Sequence, residues 1–87
     1  MTDLSDRLNE DFEHLRTLRD DLRVRVHLGK AEVRDQWEEL EKDWHRAEGR
    51  MKAIGESSRE SAKEVKEAAG LLVEQLRDAY HRLRELL

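Results

Sequence analysis

Residues 33–54 read VRDQWEELEKDWHRAEGRMKAI, with apolar side chains at Val33, Trp37, Leu40, Trp44, Ala47, Met51 and Ile54. Steps of four and three alternate along this run, which keeps the apolar positions on one side of an α-helix. The same rhythm extends upstream through Leu4, Leu8, Phe12, Leu15, Leu18, Leu22 and Val26. Downstream it resumes as Ala62, Val65, Ala69, Leu72, Leu76, Ala79, Leu83 and Leu86, and no proline interrupts any of it. A stripe sustained over so many turns is a seam for another helix. The fold class is all-α.

Eighty-seven residues make a single helical-bundle domain, 1–87. A chain of this length buries a thin core, so a second chain or very regular helix packing is expected to support it. Charged residues make up 44% of the chain, but 17 basic and 21 acidic residues offset one another to a net charge of −4. Disorder is therefore not expected, because it goes with a larger imbalance and no periodicity.

Gly55-Glu56-Ser57-Ser58 is the clearest punctuation. Gly55 suits the left-handed position after a helix end, and Arg50 and Lys52 favour the C-terminal turn before it. Ser57 with Glu60 has capping-box spacing, Ser58 is the other candidate cap, and Thr2 or Asp3 is the expected cap of the first helix. The stripe passes through Gly29 without proline, asparagine or serine to mark a turn. These signals predict a long hairpin: a helix over about 3–54, a turn at 55–57 and a helix over 58–87, paired as an antiparallel dimeric bundle. The long helix would measure ~78 Å at 1.5 Å per residue. The alternative is a monomeric three-helix bundle that breaks at Gly29. Both use nearly the same contacts, which is the logic of domain swapping.

The seam expected to carry association comprises Leu15, Leu18, Leu22, Val26, Val33, Trp37, Leu40, Trp44, Met51, Ile54, Val65, Leu72, Leu76 and Leu83. A basic row, Arg16, Arg19, Arg23, His27, Lys30 and Arg34, flanks it. An acidic block follows: Asp35, Glu38, Glu39, Glu41 and Asp43. Placed antiparallel about residues 31 and 32, the row near Arg23 faces the block near Glu39 and sets the register. The plainer alternative is a solvated face, since surface ion pairs are each worth ~0–1 kcal/mol. Asp21/Arg25, Glu38/Lys42, Glu48/Lys52 and Asp78/Arg82 have the spacing of ordinary helix-surface pairs.

Little in the chain points to catalysis. It has no cysteine, which excludes disulfides, thiolate chemistry and cysteine-based zinc sites. Asp11/His14 and Asp78/His81 have the i,i+3 spacing of bundle metal ligands, but they lie beside the stripe and use the shorter aspartate. No catalytic, cofactor-binding or metal site is expected, and no cofactor. Nucleic acid is disfavoured by the acidic balance. No run approaches about 18 apolar residues, and Met1 to Asp6 carry no apolar segment, so a cytoplasmic location is expected. A lipid surface is the alternative partner, with Leu71, Leu72, Val73, Leu76, Tyr80, Leu83, Leu86 and Leu87 as the best candidate face.

The run from Leu22 to Ile54, the turn Gly55-Glu56-Ser57 and the helix containing Ala62-Lys63-Glu64-Val65-Lys66-Glu67-Ala68 together resemble a group of small, cysteine-free bacterial coiled-coil proteins linked to stress response. The resemblance covers about the last two-thirds of the chain, although that group carries its tryptophans in the second helix. The apolar seam points to a non-enzymatic coiled-coil module that oligomerises, most simply as a homodimer, or binds another protein; the resemblance adds only a setting in stress response. It carries over no catalytic residue.

Overall fold

The computed structural model describes residues 4–56 and 59–87 and contains three helices, α1 (Leu4–His27), α2 (Ala31–Glu56) and α3 (Arg59–Glu85). The expected caps Thr2, Asp3, Ser57 and Ser58 lie outside the described residues. Phe12 stacks on Trp44 and Arg19 bonds to Glu41, so α1 and α2 run antiparallel. Trp37 stacks on Tyr80 and Val33 lies beside Leu86 and Leu87, so α2 and α3 are antiparallel too. Leu8 meets Gly70, and Leu87, just beyond α3, meets Gly29, so α1 and α3 run parallel. The topology is up-down-up.

This arrangement fits the alternative, a three-helix bundle that breaks at Gly29, and corrects the continuous helix expected over 3–54. The chain reverses at residues 28–30, and its longest dimension is 45 Å. Two tight bonds end α1, from Leu28 N to the Arg25 carbonyl (3.1 Å) and from Gly29 N to the Val26 carbonyl (3.0 Å). The Lys30 carbonyl then accepts from Val33 N and Arg34 N, both at 3.1 Å, and starts α2. No described residue has a positive φ, glycine included. The turn uses backbone conformations open to any residue, so it needs none of the usual turn formers. Gly29 contributes its missing side chain: a Cβ there would lie 3.3 Å from the Val26 carbonyl oxygen and 3.4 Å from Leu87 Cδ2.

The other end of α2 also differs from expectation. The helix runs on through Gly55 to Glu56, with Gly55 inside its last turn and not in a left-handed position. Gly70 faces α1 at ordinary contact distance, with Leu8 Cδ1 4.0 Å from where its Cβ would be.

The core runs along the bundle axis through Leu8, Phe12, Leu15, Leu22 and Val26 of α1, Val33, Trp37, Trp44 and Ala47 of α2, and Ala69, Val73, Leu76, Tyr80 and Leu83 of α3. On α3 the buried line is rotated from the one expected. Val73 and Tyr80 are buried, Leu72 and Ala79 are half-buried, and Leu86 is 60% exposed. Because α3 packs on both other helices, its buried face centres between them. The steps 69, 73, 76, 80 and 83 satisfy the helical period as well as the expected steps did.

Candidate helix-association site

The seam residues named from the sequence all face the interior of the single chain. Leu15, Leu22, Val26, Val33, Trp37, Trp44, Leu76 and Leu83 are buried. Leu18, Leu40, Met51, Ile54 and Leu72 are partly buried against them, and Val65 is half-buried. Phe12, Val73 and Tyr80 belong beside them: Phe12 is the partner of Trp44, and Tyr80 is the partner of Trp37. Phe12 lay on the sequence stripe, whereas Val73 and Tyr80 were hidden by the competing line through Leu72 and Ala79.

Two aromatic pairs and one ion pair tie the helices across the seam. Phe12 and Trp44 stack with ring centroids 4.8 Å apart and planes 3° apart. Trp37 and Tyr80 follow at 5.8 Å and 28°. Arg19 reaches Glu41 with two parallel bonds of 2.7 Å, from Nε to Oε1 and from Nη2 to Oε2. The same guanidinium lies 5.0 Å from the Trp44 ring centroid. Its side chain is 15% exposed and that of Glu41 24%, so water screens this pair less than an ordinary surface pair. The hydrogen-bonded Glu41 carboxylate raises the Arg19 pKa, against the opposing effect of burial. Forked arginine–carboxylate bonding fixes geometry as well as adding energy.

Only this pair of the proposed register charges crosses between helices among the described residues. Arg16 pairs with Glu13 of its own helix at 3.4 Å and sits 5.4 Å from the Phe12 ring centroid. Glu39 binds Lys42 at 3.1 Å. Arg23, Lys30, Asp35 and Glu38 are exposed and form no ion pair among the described residues. Of the expected helix-surface pairs, Asp21 meets Arg25 at 3.7 Å, but Lys42 takes Glu39 instead of Glu38, and Glu48 takes His45 (3.0 Å) instead of Lys52. Arg82 Nε donates to the Asp78 backbone carbonyl, not its carboxylate (3.4 Å).

Tyr80 is fully buried, and its hydroxyl has no hydrogen-bond partner. Burial pushes this hydroxyl's pKa well up; the negative charges of Glu41 and Asp43 push the same way, and Arg19 opposes them. The polar group therefore sits in the seam beside the Arg19–Glu41 pair without joining it.

A groove of about 530 Å³ runs between α1 and α3, floored by Leu15, Leu18 and Val73 and edged by Asp11, His14 and His81. Asp78, the other half of the second Asp-x-x-His pair, does not line it. Among the described residues no three histidine, aspartate or glutamate side chains converge to hold a metal ion. Of the face considered for lipid, Val73, Leu76, Tyr80 and Leu83 are core, while Leu71, Leu86 and Leu87 are exposed. No described helix is long and apolar enough to cross a membrane. No known protein family, curated protein or solved structure matches the chain.

Proposed function

We propose that this chain is a non-enzymatic helical association module that pairs first with a second copy of itself. The observation that carries this reading is the uneven fastening of the bundle. α2 and α3 form the most extensively packed pair; α1 packs mainly on α3 and touches α2 sparsely. The Phe12–Trp44 stack and the Arg19–Glu41 fork carry much of that second interface. A helix held this way can leave its own chain and keep its specificity for the surface it left. We take stress response as the setting, on the resemblance of the Leu22–Ile54 run and the helix that follows.

Light scattering across a concentration series tests the reading. The mass is expected to climb from 10.4 kDa towards twice that value. A mass fixed at 10.4 kDa throughout would remove self-association.

A second reading, a peripheral lipid-surface protein, is favoured by one end of the bundle. There Leu28 is 88% exposed beside Leu86 and Leu87, and Arg25 and Lys30 stand around them. Such a tip would bind anionic vesicles in a salt-sensitive way, because the basic contribution is screened within a Debye length. Co-sedimentation with phosphatidylserine vesicles, lost in Leu28→Asp, is the expected result. Equal recovery of both proteins in the supernatant would dismiss the lipid reading.

A further inference from the structure

We infer that two copies of this chain exchange α1: residues 28–30 straighten, and each α1 docks on α2 and α3 of the other copy as it docks on its own in the closed chain. This rests on the association reading above and names its partner and its hinge.

The hinge is three residues long and weakly held. Its amides make only the two tight bonds at Leu28 and Gly29, the bond from Arg34 N to the Lys30 carbonyl is one a straight helix keeps, and none of its residues needs a left-handed conformation. Lys30 occupies the cap position of α2, where a serine, threonine, aspartate or asparagine would accept from the first free amides. Leu28 covers no core. Straightening therefore gives up little, and it gains backbone bonds across a stripe that already runs from Val26 to Val33.

The register makes the exchange neutral for the contacts that matter. Arg19 and Glu41, 22 residues apart, are placed symmetrically about Lys30. Phe12 and Trp44 are symmetric about Leu28. A two-fold axis through this segment rebuilds both pairs between copies, Arg19 of one with Glu41 of the other, and closes the assembly at a dimer. The dimer also gains a contact that the closed chain lacks. The end of α3 lies against Gly29, so the exposed Leu86 and Leu87 of the two copies converge where the long helices cross. Gly29, on the stripe itself, leaves room there for close approach.

Charge reversal separates exchange from every other mode of association. Arg19→Glu and Glu41→Arg each place like charges across the α1–α2 contact, whether that contact lies within or between chains. Only in an exchanged dimer does an equal mixture of the two variants restore both pairs. The mixture is expected to melt above either variant alone and to show a mass of twice 10.4 kDa. If the single variants are too unstable to fold, the same exchange appears as helical signal gained on mixing. Gly29→Ala supplies an independent arm. Alanine crowds the closed turn and favours the straight helix, and its propensity advantage counted once per chain predicts a dimer dissociation constant roughly 30-fold lower. A mixture that behaves as the sum of its components overturns the exchange. If the unaltered chain still dimerises in that case, the association reading stands without it; if the unaltered chain stays at 10.4 kDa, self-association falls with it.

Discussion

Trp44→Ala is expected to remove about 3–5 kcal/mol of stability, the usual effect of truncating a buried tryptophan. A domain of this length has roughly 4–13 kcal/mol in total, so the variant should be marginal or unfolded at room temperature. Three losses add at one position. The indole is 2% exposed and fills the space between α1 and α2. It is the stacking partner of Phe12 at 4.8 Å. It also forms the floor beneath the Arg19 guanidinium, at 5.0 Å, and its removal loosens the Arg19–Glu41 fork. Leu28→Ala is the matched control: an 88% exposed leucine should change stability by no more than ~0.5 kcal/mol. Urea unfolding followed by circular dichroism reads both. Equal midpoints for the two variants would contradict the assigned core.

Alkali is expected to weaken the bundle through Tyr80, the only tyrosine in the chain. Its hydroxyl is buried without a partner, and burial raises its pKa in the folded state above the ordinary value of 10.0. Below that ordinary value the phenol is protonated in both folded and unfolded chains, and pH has no effect through it. Above it the unfolded chain releases the proton while the folded chain retains it. Stability then falls by up to about 1.4 kcal/mol per pH unit until the folded pKa is reached. Tyr80→Phe should abolish this part of the alkaline decline. At neutral pH it should stabilise the bundle by about 1 kcal/mol, because the unpaired hydroxyl no longer has to be desolvated. Every other titrating group is common to both proteins, so the difference between the two curves isolates Tyr80. A tyrosinate absorbance that appears near pH 10 while the helices are intact would show that the hydroxyl is not sealed in the seam.

The all-α class and the α2 seam were legible because Val33, Trp37, Leu40 and Trp44 leave only one period to read. Of the basic row on α1 and the acidic block on α2, both visible in the sequence, the structure joins one crossing pair, Arg19 with Glu41. Its member residues could not be singled out, since Arg16, Arg19 and Arg23 share the same spacing and only packing decides which guanidinium is sheltered. The turn at 28–30 was legible only as the alternative, a break at Gly29, and for a physical reason. It contains no left-handed residue, so it left no turn-former signature, and the stripe continues in phase across it. The rotation of α3 was missed because two apolar lines, through Leu72 and through Val73, fit the same period. A helix that contacts two neighbours buries the line between them, which one-dimensional periodicity does not distinguish.

The most direct test of the association account asks whether Phe12 meets Trp44 of its own chain or of another. An isotope-filtered NMR experiment on an equal mixture of labelled and unlabelled protein reads this contact, with ring centroids 4.8 Å apart. The account predicts that, after the mixture is unfolded and refolded at high concentration, cross-peaks join the phenylalanine ring of one chain to the indole of another. Cross-peaks within single chains alone, at concentrations where the mass is that of a dimer, would contradict it.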